Sequence, residues 1–128
     1  MSHPVQTVFL SYARSDRAVA EVMMQRLRDH GIEVFREDDI PAGADLHAAL
    51  KEGLRRADVF IALVTPAFVG SDWARAELGA AWMLDKRILP VVTDMRLLAR
   101  MPDHSADSEA LLLGPDVDEA LVRALEAA

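Results

Sequence analysis

Val59-Phe60-Ile61-Ala62-Leu63-Val64 is a run of apolar residues with no polar interruption. A stretch of this kind is what a strand looks like when both its faces are buried, as in the interior of a parallel sheet. Shorter apolar runs recur at Val8-Phe9-Leu10, Ile32 to Phe35 and Ile88 to Val92. The segments between them carry helical spacing. Ser15 or Asp16 can cap a helix with Val19, Val22, Met23 and Leu27 on one face, closed by His30 and Gly31. Asp45 can cap a second helix with Leu46, Ala49, Leu50 and Leu54, and Ser71 a third that ends in Lys86-Arg87. Trp82 falls one turn past Leu78 and reads as core. Asp116 followed by Glu119 forms a capping-box pattern for a last helix, with Leu121, Val122 and Leu125 facing inward.

Glu109 to Leu113 reads as a short fifth strand at the sheet edge, and 94–107 as one loose helical turn with a mobile loop. The alternation predicts an α/β fold: a flavodoxin-like, doubly wound sheet of five parallel strands, order 2-1-3-4-5, with helices on both faces. The whole of 1–128 is expected to be a single domain with a core of about 6–127. In this strand order the connections reverse between strands 1 and 3, and ligands bind beyond the carboxyl ends of the strands at that point. Two loops border the crevice: Ser11 to Asp16 after strand 1 and Thr65 to Asp72 after strand 3. The acidic loop Arg36 to Ala44 after strand 2 lies beside it.

Composition narrows the chemistry. The formal charge is −7 and the pI about 5.0, which argues against direct nucleic-acid binding and against a polybasic membrane-surface role. There is no cysteine, so no disulfide, no thiolate nucleophile and no Cys-based zinc site. No apolar run approaches the length that spans a bilayer, and Met1 to Gln6 is not a signal peptide, so a cytoplasmic location is expected. His3, His30, His47 and His104 lack metal-ligand spacing, and no metal is expected. A receiver-type acidic pair after strand 1, a glycine-rich phosphate loop and a Walker lysine are all missing. A phosphate could still be met by Arg14 and by backbone N–H groups at the helix start near Asp16.

The positive content lies in Ser71-Asp72-Trp73-Ala74-Arg75-Ala76-Glu77-Leu78. Trp73 and Glu77 are four apart and share one helical face at the strand-3 end of the crevice. Spacing alone admits two readings. One is a core tryptophan with an acid that complements the helix dipole; the other is a small-molecule site offering a flat indole and a carboxylate. Glu37-Asp38-Asp39 reads as a solvated acidic loop, and Arg14 and Arg36 as surface charges.

The motifs together resemble a Toll/interleukin-receptor (TIR) domain of the bacterial type, from about Val8 to the end of the chain. Val8-Phe9-Leu10-Ser11-Tyr12 resembles the family's opening box. Asp39-Ile40-Pro41-Ala42-Gly43 stands where the family has its long loop after strand 2. Thr65-x-x-Phe68-x-x-Ser71-x-Trp73-Ala74-x-x-Glu77-Leu78 is similar to its third-strand-to-helix motif, and Ile88-Leu89-Pro90-Val91-Val92 to its fourth strand. The loop reads Pro-Ala-Gly where Pro-Gly is usual, Ala74 replaces a common Cys, and the Phe-Trp pair of many animal receptor members is absent.

The resemblance implies an NAD+ hydrolase, cleaving the nicotinamide–ribose bond to nicotinamide and ADP-ribose or a cyclic ADP-ribose, in an immune or anti-phage setting. Glu77 would be catalytic. Ser11, Tyr12 and Arg14 would line the nucleotide side, with Phe35 beneath and Trp73 stacking on a ring. Asp39, Ile40, Pro41, Gly43 and Asp45 would form an assembly loop against other TIR domains. NAD+ would be the substrate and no cofactor is implied; a fused or separate sensor or effector domain is a further partner. Position near a helix N-terminus would favour ionised Glu77. The alternatives are a non-catalytic TIR–TIR interaction module and a different nucleotide hydrolase or base-exchange enzyme using the same cleft.

Overall fold

The computed structural model describes residues 7–101 and 109–126. Five strands, β1 (Thr7–Ser11), β2 (Glu33–Phe35), β3 (Val59–Val64), β4 (Arg87–Val92) and β5 (Leu111–Leu112), form one sheet in the order β2-β1-β3-β4-β5. Every pairing is parallel. The helices are α1 (Arg17–Asp29), α2 (Leu46–Arg56), α3 (Pro66–Val69), α4 (Asp72–Met83) and α5 (Val117–Glu126). This is the doubly wound architecture that the apolar runs predict.

Two cores flank the sheet, and the two-residue strand period assigns side chains to them. Val8 and Leu10 of β1, with Val59, Ile61 and Leu63 of β3, pack under α1 and α5. Phe9, Phe60, Ala62 and Val64 face the opposite layer, which holds α2, α3 and α4. Ser11 has the parity of Phe9, so its side chain is directed to the α4 layer. At the edge, Arg87 holds Glu109 and donates to the Ala124 carbonyl at 2.8 Å, tying the ends of β4 and α5 together.

Several helix expectations are corrected. In α1 the buried positions are Ala20, Met23, Met24 and Leu27, whereas Val19 and Val22 are exposed. The stripe i, i+3, i+4, i+7 starts at the small Ala20, which turns the two valines toward the flank. Leu46 is likewise exposed and Ala49 half-buried. In α4 the buried stripe is Ala74, Glu77, Leu78 and Ala81. Trp82, one residue beyond that stripe, is 47% exposed rather than core. The helix stops at Met83 and Asp85 takes φ 57°, so Lys86 lies outside it and Arg87 opens β4.

Ser71 and Asp45 cap α4 and α2 as expected, accepting from the Ala74 and Ala48 N–H groups. Asp16 precedes α1 but its side chain caps nothing there; it accepts from the Thr65 hydroxyl at 2.6 Å instead. The helix α3, capped by Thr65, was not anticipated. A 3-10 turn over Met95–Arg100 matches the expected loose turn. The expectations for Met1 to Gln6, His3, residues 102–108 and Ala127 lie outside the described residues.

Candidate functional site

A cleft of about 450 Å³ opens at the carboxyl end of β1, between the segment after β1, the turn after β2 and the start of α4. Its walls include Tyr12, Arg14, Arg17, Glu37, Asp38, Leu46, Trp73 and Glu77. The strand order explains the location: β1 is flanked by β2 and β3, so the chains leaving it on either side diverge and leave a gap.

Glu77 forms the floor and is 7% exposed. Its Oε1 accepts from Ser11 Oγ at 2.8 Å. Its Oε2 is buried with no hydrogen-bond partner among the described residues. Burial pushes this carboxyl up to about 7; the Ser11 hydroxyl opposes the shift, and the negative charges of Glu37 and Asp38 reinforce it. The expected help from the helix dipole is therefore overturned. Glu77 stands in the second turn of α4, beyond the reach of the terminal N–H groups, and desolvation dominates.

Trp73, one turn earlier, is 41% exposed at the cleft wall, which removes the core reading for this residue. Its Nε1–H donates to Glu37 Oε2 at 2.6 Å. The acidic stretch Glu37–Asp39 is a 3-10 turn with every carboxylate engaged, not a freely solvated loop. The Tyr12 hydroxyl donates to Asp38, and Arg17 grips the same carboxylate from Nε and Nη2. Burial alone would raise Asp38, yet these bonds outweigh it and hold the carboxyl below its ordinary range. Burial and then the bond to Asp38 lift the Tyr12 phenol well above its usual value.

Arg36 is not a surface charge. It is 6% exposed, pairing with Asp39 and with Glu21 at 2.9 Å each. Arg14 is exposed on a 3-10 turn, with no ion-pair partner among the described residues. Of the backbone donors near Asp16 expected to meet a phosphate, two are already engaged. The Asp16 and Arg17 N–H groups already donate to the Ala13 and Arg14 carbonyls.

Of the residues expected in the site, Tyr12, Arg14, Trp73 and Glu77 line one cleft, and Ser11 joins it through Glu77. Phe35 does not. It packs against Phe9 in a tilted arrangement, with ring centroids 5.3 Å apart and planes at 40°, and borders a separate hollow beside Gly53. In the loop after β2, Asp39 is held by Arg36, Ile40 packs on the core and Asp45 caps α2. Pro41 and Gly43 are exposed, Gly43 at φ 88°. Arg17, Glu37 and Asp38 were not singled out from the sequence as cleft residues. Their signal was positional, since Arg17 opens the helix after β1 and the two acids follow the carboxyl end of β2. Among the described residues there is no His/Asp/Glu cluster able to hold a metal, and no helix is long and apolar enough to cross a membrane.

Comparison with known proteins gives a family match and several likenesses of fold. A family profile described as TIR domain matches residues 8–127. An uncharacterised protein, y4lF, of Sinorhizobium fredii is 25% identical over 94% of the chain, which spans only 42% of that relative's length. Among solved structures, the TIR domain of the Toll-related receptor TRR-2 of Hydra magnipapillata is similar in fold. Its TM-score is 0.72 at 20% identity, over 92% of this chain and 93% of that one. A TIR-STING receptor from C. gigas gives 0.76 at 17% identity, over 98% of this chain and 42% of that one. The TIR domains of the activated Roq1 resistosome give 0.65 at 17% identity, over 77% and 66% of the two chains.

Proposed function

The chain belongs to the TIR domain family, and from that premise we propose that it is an NAD+ hydrolase cleaving the nicotinamide–ribose bond. The observation that carries this reading is the buried Glu77 carboxyl at the floor of a cleft walled by an exposed indole. A merely structural acid in that place would bring a desolvation cost with no compensating partner for Oε2.

The chemistry suits a single carboxylate. Nicotinamide is a cationic pyridinium in NAD+. When the C1′–N bond breaks, its electron pair goes to the ring nitrogen and the base leaves neutral. No general acid is needed, in contrast to ordinary glycosides, whose departing oxygen must be protonated and which need two carboxyl groups. The positive charge left on the ribose is stabilised by ionised Glu77, whose field is weakly screened because the side chain is buried. Water then adds at C1′ and releases a proton, giving ADP-ribose; attack by an adenine nitrogen of the same molecule gives a cyclic ADP-ribose instead. Trp73 supplies a face for a planar ring, and Arg14 a cation for the diphosphate.

Activity is coupled to self-assembly in this reading. Pro41 and Gly43, exposed at the tip of the loop after β2, are the contacts offered to a neighbouring copy. A sensor or effector domain, fused or separate, would bring the copies together in a defence response. The test is to cluster the protein, add NAD+ and follow nicotinamide by HPLC. Release that depends on clustering is expected. No release from the clustered protein would overturn the enzymatic reading and leave the interaction module.

A further inference from the structure

Trp73 is large, about two-fifths exposed and placed in the first turn of α4. Packing alone does not fix a side chain with so much free surface. What holds it is the bond from Nε1 to Glu37 Oε2. That acceptor is itself on a braced turn. Asp38, next in sequence, is gripped by Tyr12 and Arg17 from the other wall of the cleft. Asp39 accepts from the Arg36 N–H at 3.1 Å and pairs with the Arg36 guanidinium, which is anchored in turn to Glu21. Asp38 and Asp39 thus secure the turn, and Glu37 reaches across the cleft mouth to the indole.

We propose that Glu37 is a positioning residue of the cleft, holding the Trp73 indole by its Nε1 edge so that the ring faces are left for a planar ring of the substrate. The bond is charge-assisted and lies in the plane of the indole, so it restrains rotation without covering a face. The inference rests on the NAD+ reading and adds a residue to it. A second consequence follows from charge. Glu77 is faced by the Ser11 hydroxyl from β1 and by Glu37 and Asp38 from the turn, with Arg14 and Arg17 on the same walls. Glu37 therefore also opposes ionisation of Glu77 across the cleft.

The test compares Glu37→Ala with Glu37→Gln, whose amide oxygen can still accept the indole N–H. Trp82→Phe in both leaves Trp73 as the sole tryptophan, since the chain has two. In Glu37→Ala, acrylamide quenching of Trp73 should rise about twofold, and the KM for NAD+ about tenfold with kcat changed less than threefold. Glu37→Gln should recover the quenching and most of the KM. In both variants the acid limb of kcat/KM should move to lower pH, an effect that a purely structural role would not produce. Unchanged quenching in Glu37→Ala overturns the proposal whether or not the protein turns over NAD+. Altered quenching with unchanged KM overturns it too. Clustered protein that shows the quenching difference but releases no nicotinamide instead overturns the NAD+ reading, and with it the role of Glu37 in that reaction.

Discussion

Ser11 Oγ and Glu77 Oε1 are 2.8 Å apart, so the last residue of β1 reaches directly to the second turn of α4. Both residues are buried, and this bond joins the sheet to the helix at the floor of the cleft. It is also the one influence named above that favours the ionised carboxylate against burial and two neighbouring acids.

The first expectation concerns pH. Ionised Glu77 is the active form in the proposed reaction, and its carboxyl is raised to about 7. Activity should therefore increase with pH through the neutral range and level off above it, and the kcat/KM profile of the clustered protein checks this. A limb near the ordinary carboxylate value of 4.5 would contradict the burial argument.

Ser11→Ala removes the bond that favours the carboxylate. The acid limb should move to higher pH, and thermal unfolding should show a loss of about 1 kcal/mol in stability. A limb that stays in place would mean that the hydroxyl does not influence the charge on Glu77.

Glu77→Gln should stabilise the fold at pH 8. The carboxyl is raised from 4.5 to about 7 in the folded state, so the native protein binds more protons than the unfolded chain across that window. Stability contributed by Glu77 is then present at low pH and lost as pH rises, with a limit of roughly 3 kcal/mol above the window. The amide carries no such penalty. Melting curves of the two proteins should diverge far more at pH 8 than at pH 5, which lies just inside the window.

Arg36→Met should destabilise the chain by about 1–2 kcal/mol, because it removes the guanidinium's bonds to Asp39 and Glu21 while leaving both carboxylates partly solvated. Denaturant unfolding measures the loss. A change near zero would show that methionine packing replaces the ion pairs.

Gly53→Ala tests the second layer. A Cβ there would stand 2.4 Å from Phe35 Cε1. Phe35 is backed by Phe9, so the ring must shift, at a cost of about 1–3 kcal/mol that outweighs the helix propensity gained. The same experiment, read by NAD+ turnover, should leave kcat largely intact, since Phe35 borders the other hollow and not the cleft.

The sheet was legible because unbroken runs such as Val59 to Val64 have one natural home, and the strand order placed the cleft before any motif was considered. Helix faces were less so. In α1 both Val19-Val22-Met23 and Ala20-Met23-Met24 carry helical spacing, one residue apart in phase, and choosing between them needs the sheet's surface, against which the small Ala20 is preferred. Trp82 misled for a similar reason, since one residue of rotation on α4 separates buried from exposed. In the site, Trp73 and Glu77 were found by their spacing of four. The Glu37 and Asp38 contacts were not, because residues far apart in sequence meet only once β2 lies beside β1. Arg36 looked like a surface charge because its two partners are fixed by the fold: Asp39 by the turn it closes and Glu21 by the packing of α1. The charge of Glu77 was misjudged because its depth below the surface has no signature in a motif.

The most direct test of the account is the rate of nicotinamide release from NAD+ by wild type and Glu77→Gln, at pH 8 and at matched degrees of clustering. The amide keeps the shape and the Ser11 bond and removes only the charge. A loss of at least about a hundredfold, with assembly unchanged, is the result expected of a site that stabilises a developing cation. Equal rates for the two proteins would contradict it.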